Sequence, residues 1–233
     1  MVSNGVLQHV YKDGQAKING QLLDYASVIS GFLILHETTL DLYWLRQAID
    51  LADMMINRFW QEEEKLLYDT DGQSDGLIVR PRNIYDDVLP SGNSLATLVL
   101  LKLAVITGNK KYHNIASYNL QSVADYMRQS PGGFTCWACA ADFYISGVKE
   151  VAIISGKHDK KPIKFVRILQ SLYLPDKVVA GCSSDDSLNM SAIALLKDKG
   201  LIKDSTTLYL CENYTCKEPV TESDEVKELF NLT

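Results

Sequence analysis

Asp86 and Asp87 stand side by side, and four residues later the chain reads Ser91-Gly92-Asn93-Ser94 before a nearly unbroken apolar run, Leu95 to Ile106. Carboxylates, hydroxyls and a carboxamide at the mouth of a helix have two readings. The first is capping, in which Ser91 or Asn93 accepts hydrogen bonds from the orphan amides of the first turn. The second is a binding lip, because free amides and hydroxyls at a helix start suit a polyol or an anion. Capping needs one such residue, whereas this stretch supplies two acids and four small residues. Asp24 and Tyr25 open another helical pattern in the same way. If both helices point the same way in an array of hairpins, Asp24, Tyr25, Asp86, Asp87, Ser91 and Asn93 converge. Asp24 and Asp87 would then serve as a general acid and base on a sugar-like molecule, with the others as substrate contacts. Arg80 and Arg82 precede the acids on an extended segment. They either pair with Asp86 or Asp87, or face the same site and hold an anionic group.

Other chemistry is discounted. Cys136 and Cys139 are one helical turn apart with no strand before them, so small core residues are expected rather than a redox pair. Cys211 and Cys216 have the spacing of half a zinc site, but nothing in the sequence demands the other half. Neither a metal nor a cofactor is expected. Five cysteines make a complete disulfide framework unexpected.

The elements that must position these residues follow from periodicity. The spacing predicts a helix over 23–38, and a second one from an Asp41 cap with Leu45, Ala48, Ile49, Ala52, Met55, Ile56 and Phe59 as one stripe. Turn signals over 64–85 predict a β-excursion. A helix from Leu95, apolar on nearly all sides, is ended by Gly108, and an amphipathic one follows from Lys110 to Gln129. Pro131-Gly132-Gly133 breaks the pattern before a fifth, shorter helix. After Gly147 the period changes to strand, helix, strand. The strands are expected at 150–155, 177–182 and 207–211, with a short helix at 190–200 and a last helix capped by Ser223. The expected architecture is therefore α-rich α+β: helical hairpins over 1–147 and a small α/β layer over 148–233.

Composition bounds the partners. The 233 residues are 46% apolar and 22% charged, with a net charge of −6. That balance argues against nucleic acid, which needs clustered Lys and Arg. The N-terminus is polar and no apolar run approaches the roughly 20 residues a bilayer requires, so a cytoplasmic protein without membrane contact is expected.

Several stretches together resemble a known family. They are the Leu22–Ala26 helix start, Arg80-Pro81-Arg82, the Asp86 to Ser94 turn with its apolar helix, and the late Cys211 to Pro219 segment. This order is similar to the C-terminal part of the large thioredoxin-domain proteins of the spermatogenesis-associated type. The resemblance covers nearly the whole chain. It implies part of an (α/α)6 toroid of the kind seen in six-hairpin glycosidases and N-acylglucosamine 2-epimerases. The positions matching the family's pattern are Asp24, Tyr25, Arg80, Arg82, Asp87, Pro90, Ser91, Gly92, Asn93 and Ser94. Where the family often has Asp-Gly before the turn, this chain has Asp87-Val88. The thioredoxin-like domain and the first hairpins of the ring have no counterpart in these residues. The resemblance therefore implies a carbohydrate-processing-like half-toroid, with a partner chain or further copies supplying the missing hairpins. The competing expectation is a non-enzymatic interaction module, stable as an oligomer, whose polar helix mouths are only caps.

Overall fold

The structure is a computed structural model and describes residues 2–3, 6–72, 78–156, 159, 161–186, 193–213 and 215–230. It is helix-rich with small sheets, an α+β arrangement. The chain divides into two compact units, one made of 1–32, 46–101 and 110–142, the other of 33–45, 102–109 and 143–233.

In the first unit the chain starts with an antiparallel sheet of β1 (Val2–Ser3), β2 (Val6–Lys12) and β3 (Gln15–Asn19). The β2–β3 hairpin is not among the expected elements. Its signal is Asp13-Gly14, where both residues have positive φ (53° and 75°) and Lys12 pairs with Gln15. That backbone is the two-residue turn whose twist matches paired strands, and Asp-Gly is its preferred sequence.

The helices α1 (Leu22–Thr39) and α2 (Leu42–Phe59) form the expected first pair. Asp41 caps α2, its Oδ1 accepting from the amide of Tyr43 at 2.9 Å. The β-excursion is smaller than its turn signals suggest. β4 (Trp60–Gln61) continues from α2 and pairs with β5 (Leu66–Leu67), while Ser74-Asp75-Gly76 falls outside the described residues. No regular element is seen over 78–90. The third helix, α3 (Gly92–Thr107), begins three residues earlier than its apolar run does, and α4 (Lys110–Gln129) has the expected bounds. After a 3-10 turn at Pro131–Gly133 comes α5 (Thr135–Ile145). Val123 and Met127 of α4 pack with Phe134 and Trp137, and Tyr25 meets Phe59 edge-on at 5.2 Å. Buried apolar side chains of this kind supply the main stabilising term.

The second unit contains a mixed sheet in the order β7-β6-β8-β9, built from β6 (Lys149–Ser155), β7 (Lys177–Ser183), β8 (Thr207–Glu212) and β9 (Thr215–Cys216). The β6–β7 pair is parallel and joined through α6 (Lys161–Ser171), and β6–β8 is antiparallel. Val151 to Ile154 are all buried, as suits a strand covered on both faces. Phe165, Val166 and Leu169 of α6 join Val151, Val179 and Leu208 in the core.

Two local expectations differ from the structure, and one spacing read in two ways is settled by it. Of the helix expected at 190–200, the described part forms turns, with Lys197 N reaching Ile193 O at 3.0 Å. The last helix, α7 (Glu225–Leu229), has Asp224 at its cap position with no side-chain capping bond, and Ser223 Oγ instead meets Asp224 Oδ1. Cys211 and Cys216 face each other across β8 and β9 and are joined as a disulfide, so they are not half of a zinc site. Among the described residues, no group of three or more His, Cys, Asp or Glu is arranged to hold a metal, and no helix is long and apolar enough to cross a membrane.

Candidate functional site

The starts of α1 and α3 do come together. The amide of Leu22 donates to Asp69 O at 2.9 Å. A Cβ on Gly92 would lie 3.0 Å from the backbone nitrogen of Leu23 and 3.2 Å from Leu22 Cγ. Glycine at 92 is thus what lets the two helix mouths meet. Beside this junction is a cavity of about 440 Å³, lined by Gln21 and Leu23 from one mouth, Ser91 and Gly92 from the other, and Asp69, Asn83 and Asp87 from the loops between.

The expected site residues divide into those that line this cavity and those that build its walls. Asp87 lines it and is exposed, and its two neighbours Val88 and Leu89 are 93% and 66% exposed. Asp86, one residue away, is buried and fully engaged. Its Oδ1 accepts from the amide of Ser91 at 2.9 Å and the hydroxyl of Ser94 at 2.6 Å. Its Oδ2 accepts from the amides of Cys136 at 2.8 Å and Trp137 at 3.4 Å. One carboxylate therefore ties the mouth of α3 to the first turn of α5, where it also meets the positive end of that helix. Burial raises the pKa of the Cys136 thiol nearby, and the Asp86 charge pushes the same way.

Ser91 caps α3, its Oγ accepting from the amide of Ser94 at 3.1 Å. Asn93 is wholly buried, and its Nδ2 donates to Asp69 Oδ1 at 3.2 Å and to Asn83 O at 3.1 Å. From there a buried polar chain continues. The backbone oxygen of Asn93 accepts from Thr97 Oγ1, which accepts from Asn119 Nδ2, and Ser122, on the same turn as Asn119, accepts from Arg82 at 2.8 Å. Arg80 points elsewhere. Its guanidinium donates to Thr70 O at 2.7 Å and lies 4.4 Å from the ring centre of Tyr68. Neither arginine pairs with Asp86 or Asp87.

Asp24 and Tyr25 do not line the cavity. Tyr25 is buried with its hydroxyl accepting from the amide of Leu7 at 3.1 Å. Asp24 turns to the other side of α1, where its Oδ2 meets His9 Nδ1 at 2.8 Å and the amide of Gln21 at 2.7 Å. The side chain that takes its place beside Asp87 is Asp69, which sequence reasoning did not single out. Asp69 accepts from the amide of Asn83 at 2.6 Å as well as from Asn93. Burial raises the pKa of its carboxyl, against smaller opposing effects from Asn83, Arg82 and Asn93. The only signal for it in the sequence is its place in "YDTDG", where it is one turn-forming acid of two.

The cavity thus presents one carboxyl biased towards its protonated form and one exposed carboxylate, between polar and backbone groups at two helix starts. Such a pair can donate a hydrogen bond from one side and accept from the other.

No protein-family model matches the chain. It is 28% identical to human spermatogenesis-associated protein 20 over 214 residues, which is 91% of this chain and 27% of that protein. The rat protein of the same name is 27% identical over the same shares. An uncharacterized protein of Caenorhabditis elegans is 21% identical over 221 residues, 94% of this chain and 30% of that one. The chain spans under a third of the length of these curated relatives. Similarity sustained through nine-tenths of the chain marks it as a homologue of spermatogenesis-associated protein 20.

Proposed function

We propose that the cavity at the starts of α1 and α3 binds a small polyhydroxylated molecule, sugar-like in its chemistry, with Asp69 as hydrogen-bond donor or general acid and Asp87 as acceptor or base. The observation that carries this reading is the placement of those two carboxyls around one cavity of about 440 Å³, one of them shifted towards its neutral form by burial. Ser91 and Asn83 add polar groups, and Gly92 keeps the lining backbone close. Asp86, Ser94, Asn93 and Arg82 act here as wall-builders. In the same reading the chain is part of a carbohydrate-processing-like toroid of helical hairpins, with a partner chain or further copies as the source of additional hairpins.

The test is a panel of monosaccharides and disaccharides titrated into the protein and followed by NMR. Binding at millimolar concentration or better is expected, with Asp69→Ala and Asp87→Ala each weakening it about tenfold, on the scale of one lost hydrogen bond. Absence of binding by every sugar in the panel, with the protein folded, would sink the reading.

A second reading is supported by one observation. Ile78, Val79, Val88 and Leu89 are strongly exposed along the segment that leads into α3. Exposed apolar residues of this kind suit an interaction surface, and the chain would then serve as an interaction module that self-associates. Light scattering separates the two: a monomer at all concentrations opposes self-association.

A further inference from the structure

A second cavity, of about 560 Å³, lies within the first unit along the groove between α1 and α2. Asp24, Ser27, Val28 and Phe32 line it from one face of α1, and Gln47, Asp50, Leu51 and Met54 from one face of α2. Strand β2 closes it with Leu7, Gln8 and His9. We propose that this groove is a binding site for an amphipathic amine: an organic cation with an apolar body and a donor-rich ammonium head.

Three features of the groove select that class. Its bed is apolar, from Val28, Phe32, Leu51 and Met54, and its volume is in the range of small-molecule sites, about 300–1,000 Å³. Its charged lining is acidic, Asp24 and Asp50, with no Lys or Arg among the lining residues. A carboxylate ligand would meet two like charges there, whereas an ammonium meets two opposite ones, in a protein of net charge −6. The head-group region is also pre-positioned. The Asp24 carboxylate is held by the amide of Gln21 at 2.7 Å and by His9 Nδ1 at 2.8 Å. Acceptors at the rim and an apolar bed below form the complement of an alkylammonium, since its nitrogen donates and its chain needs burial. The sequence hides this site because Val28, Phe32, Leu51 and Met54 read as parts of ordinary amphipathic stripes, and Asp50 as a solvated helix residue.

The experiment uses three probes of one chain length, n-octylammonium, n-octanol and octanoate, titrated into the whole chain with its methionine methyls labelled. Octylammonium is expected to saturate the Met54 methyl shift, octanol to bind about tenfold more weakly, and octanoate more weakly still. Asp50→Asn should erase most of the preference for ammonium over alcohol while leaving thermal unfolding unchanged. Ser27→Trp, on the exposed rim, should fill the groove and abolish binding of all three. Four outcomes overturn the proposal: equal affinity for octanol and octylammonium, tighter binding of octanoate, a preference that survives Asp50→Asn, or a Met54 methyl that does not respond. A groove occupied by a second copy of the chain, seen as probe binding that disappears as the protein self-associates, overturns it too.

Discussion

Two cavities in the first unit share α1 and differ in character. At the starts of α1 and α3, polar groups are dense, but most of them are consumed. Asp86, Ser91 and Ser94 bond to one another, Asn93 bonds to Asp69 and to the backbone of Asn83, and Asp69, Asp87, Asn83 and Ser91 are among the groups that line the cavity. Along the α1–α2 groove, Val28, Phe32, Leu51 and Met54 form an apolar bed, and Asp24 and Asp50 are among the polar residues that line it. A conspicuous polar cluster in sequence thus need not be a site. Buried polar groups must be satisfied first, and a mouth rich in donors and acceptors satisfies them internally.

The largest test of this contrast is Asp86→Ala against Asp87→Ala. Removing Asp86 takes the side-chain acceptor from the buried amide of Ser91 and the half-buried amide of Cys136, and takes one acceptor from the Ser94 hydroxyl; each unmet buried donor costs about 1–3 kcal/mol. Urea unfolding should show a loss of about 3 kcal/mol or more. Asp87→Ala should stay within about 0.5 kcal/mol, because the residue is exposed. Similar losses for both variants would erase the distinction between wall and lining.

Next in size is a pair of glycines. Gly92→Val places carbon against Leu22 and Leu23 and should destabilise by about 1–3 kcal/mol. Gly31, in the middle of α1, has nothing within 4 Å of an added Cβ. Gly31→Ala should stabilise by about 0.5–1 kcal/mol through helix propensity. The opposite signs, read from the same unfolding curves, check that the close approach lies at the helix mouth and not along the middle of α1.

A smaller effect concerns pH. The folded-state pKa of Asp69 lies above its unfolded value of 3.8. The folded chain therefore holds a proton there that the unfolded chain has already lost. Its contribution is fully present below the unfolded value and is lost as pH rises through the folded one. Asp69→Asn should flatten that part of the stability profile. Sugar binding that takes a hydrogen bond from the Asp69 proton should weaken over the same rise in pH. The smallest effect expected is salt dependence: alkylammonium affinity at the groove should fall about two- to threefold between low and physiological salt, while sugar affinity at the other cavity stays level.

Much of the secondary structure is legible in the residues. The stripe from Leu45 to Phe59 and the pattern from Lys110 to Gln129 locate α2 and α4 because an amphipathic helix must repeat its apolar face every 3.6 residues. Asp13-Gly14 carried an equally local signal for the first hairpin, and it is easily passed over in a polar segment. The helix expected at 190–200 shows the limit, since three apolar residues near Ala194 suit a turn as well as a helix.

The sequence alone determined that polar residues and acids gather at the mouths of α1 and α3, since capping chemistry and turn residues are local. Only the tertiary structure decided which acid does what. Asp86 and Asp87 are indistinguishable in type and adjacent in the chain, yet one is stapled between α3 and α5 while the other lines a cavity. Asp69 enters that cavity from a loop that sequence patterns leave unread, and Asp24 leaves it for His9. The physical reason is that a carboxylate's role depends on the donors and the burial around it, and both are supplied by residues far away in the chain.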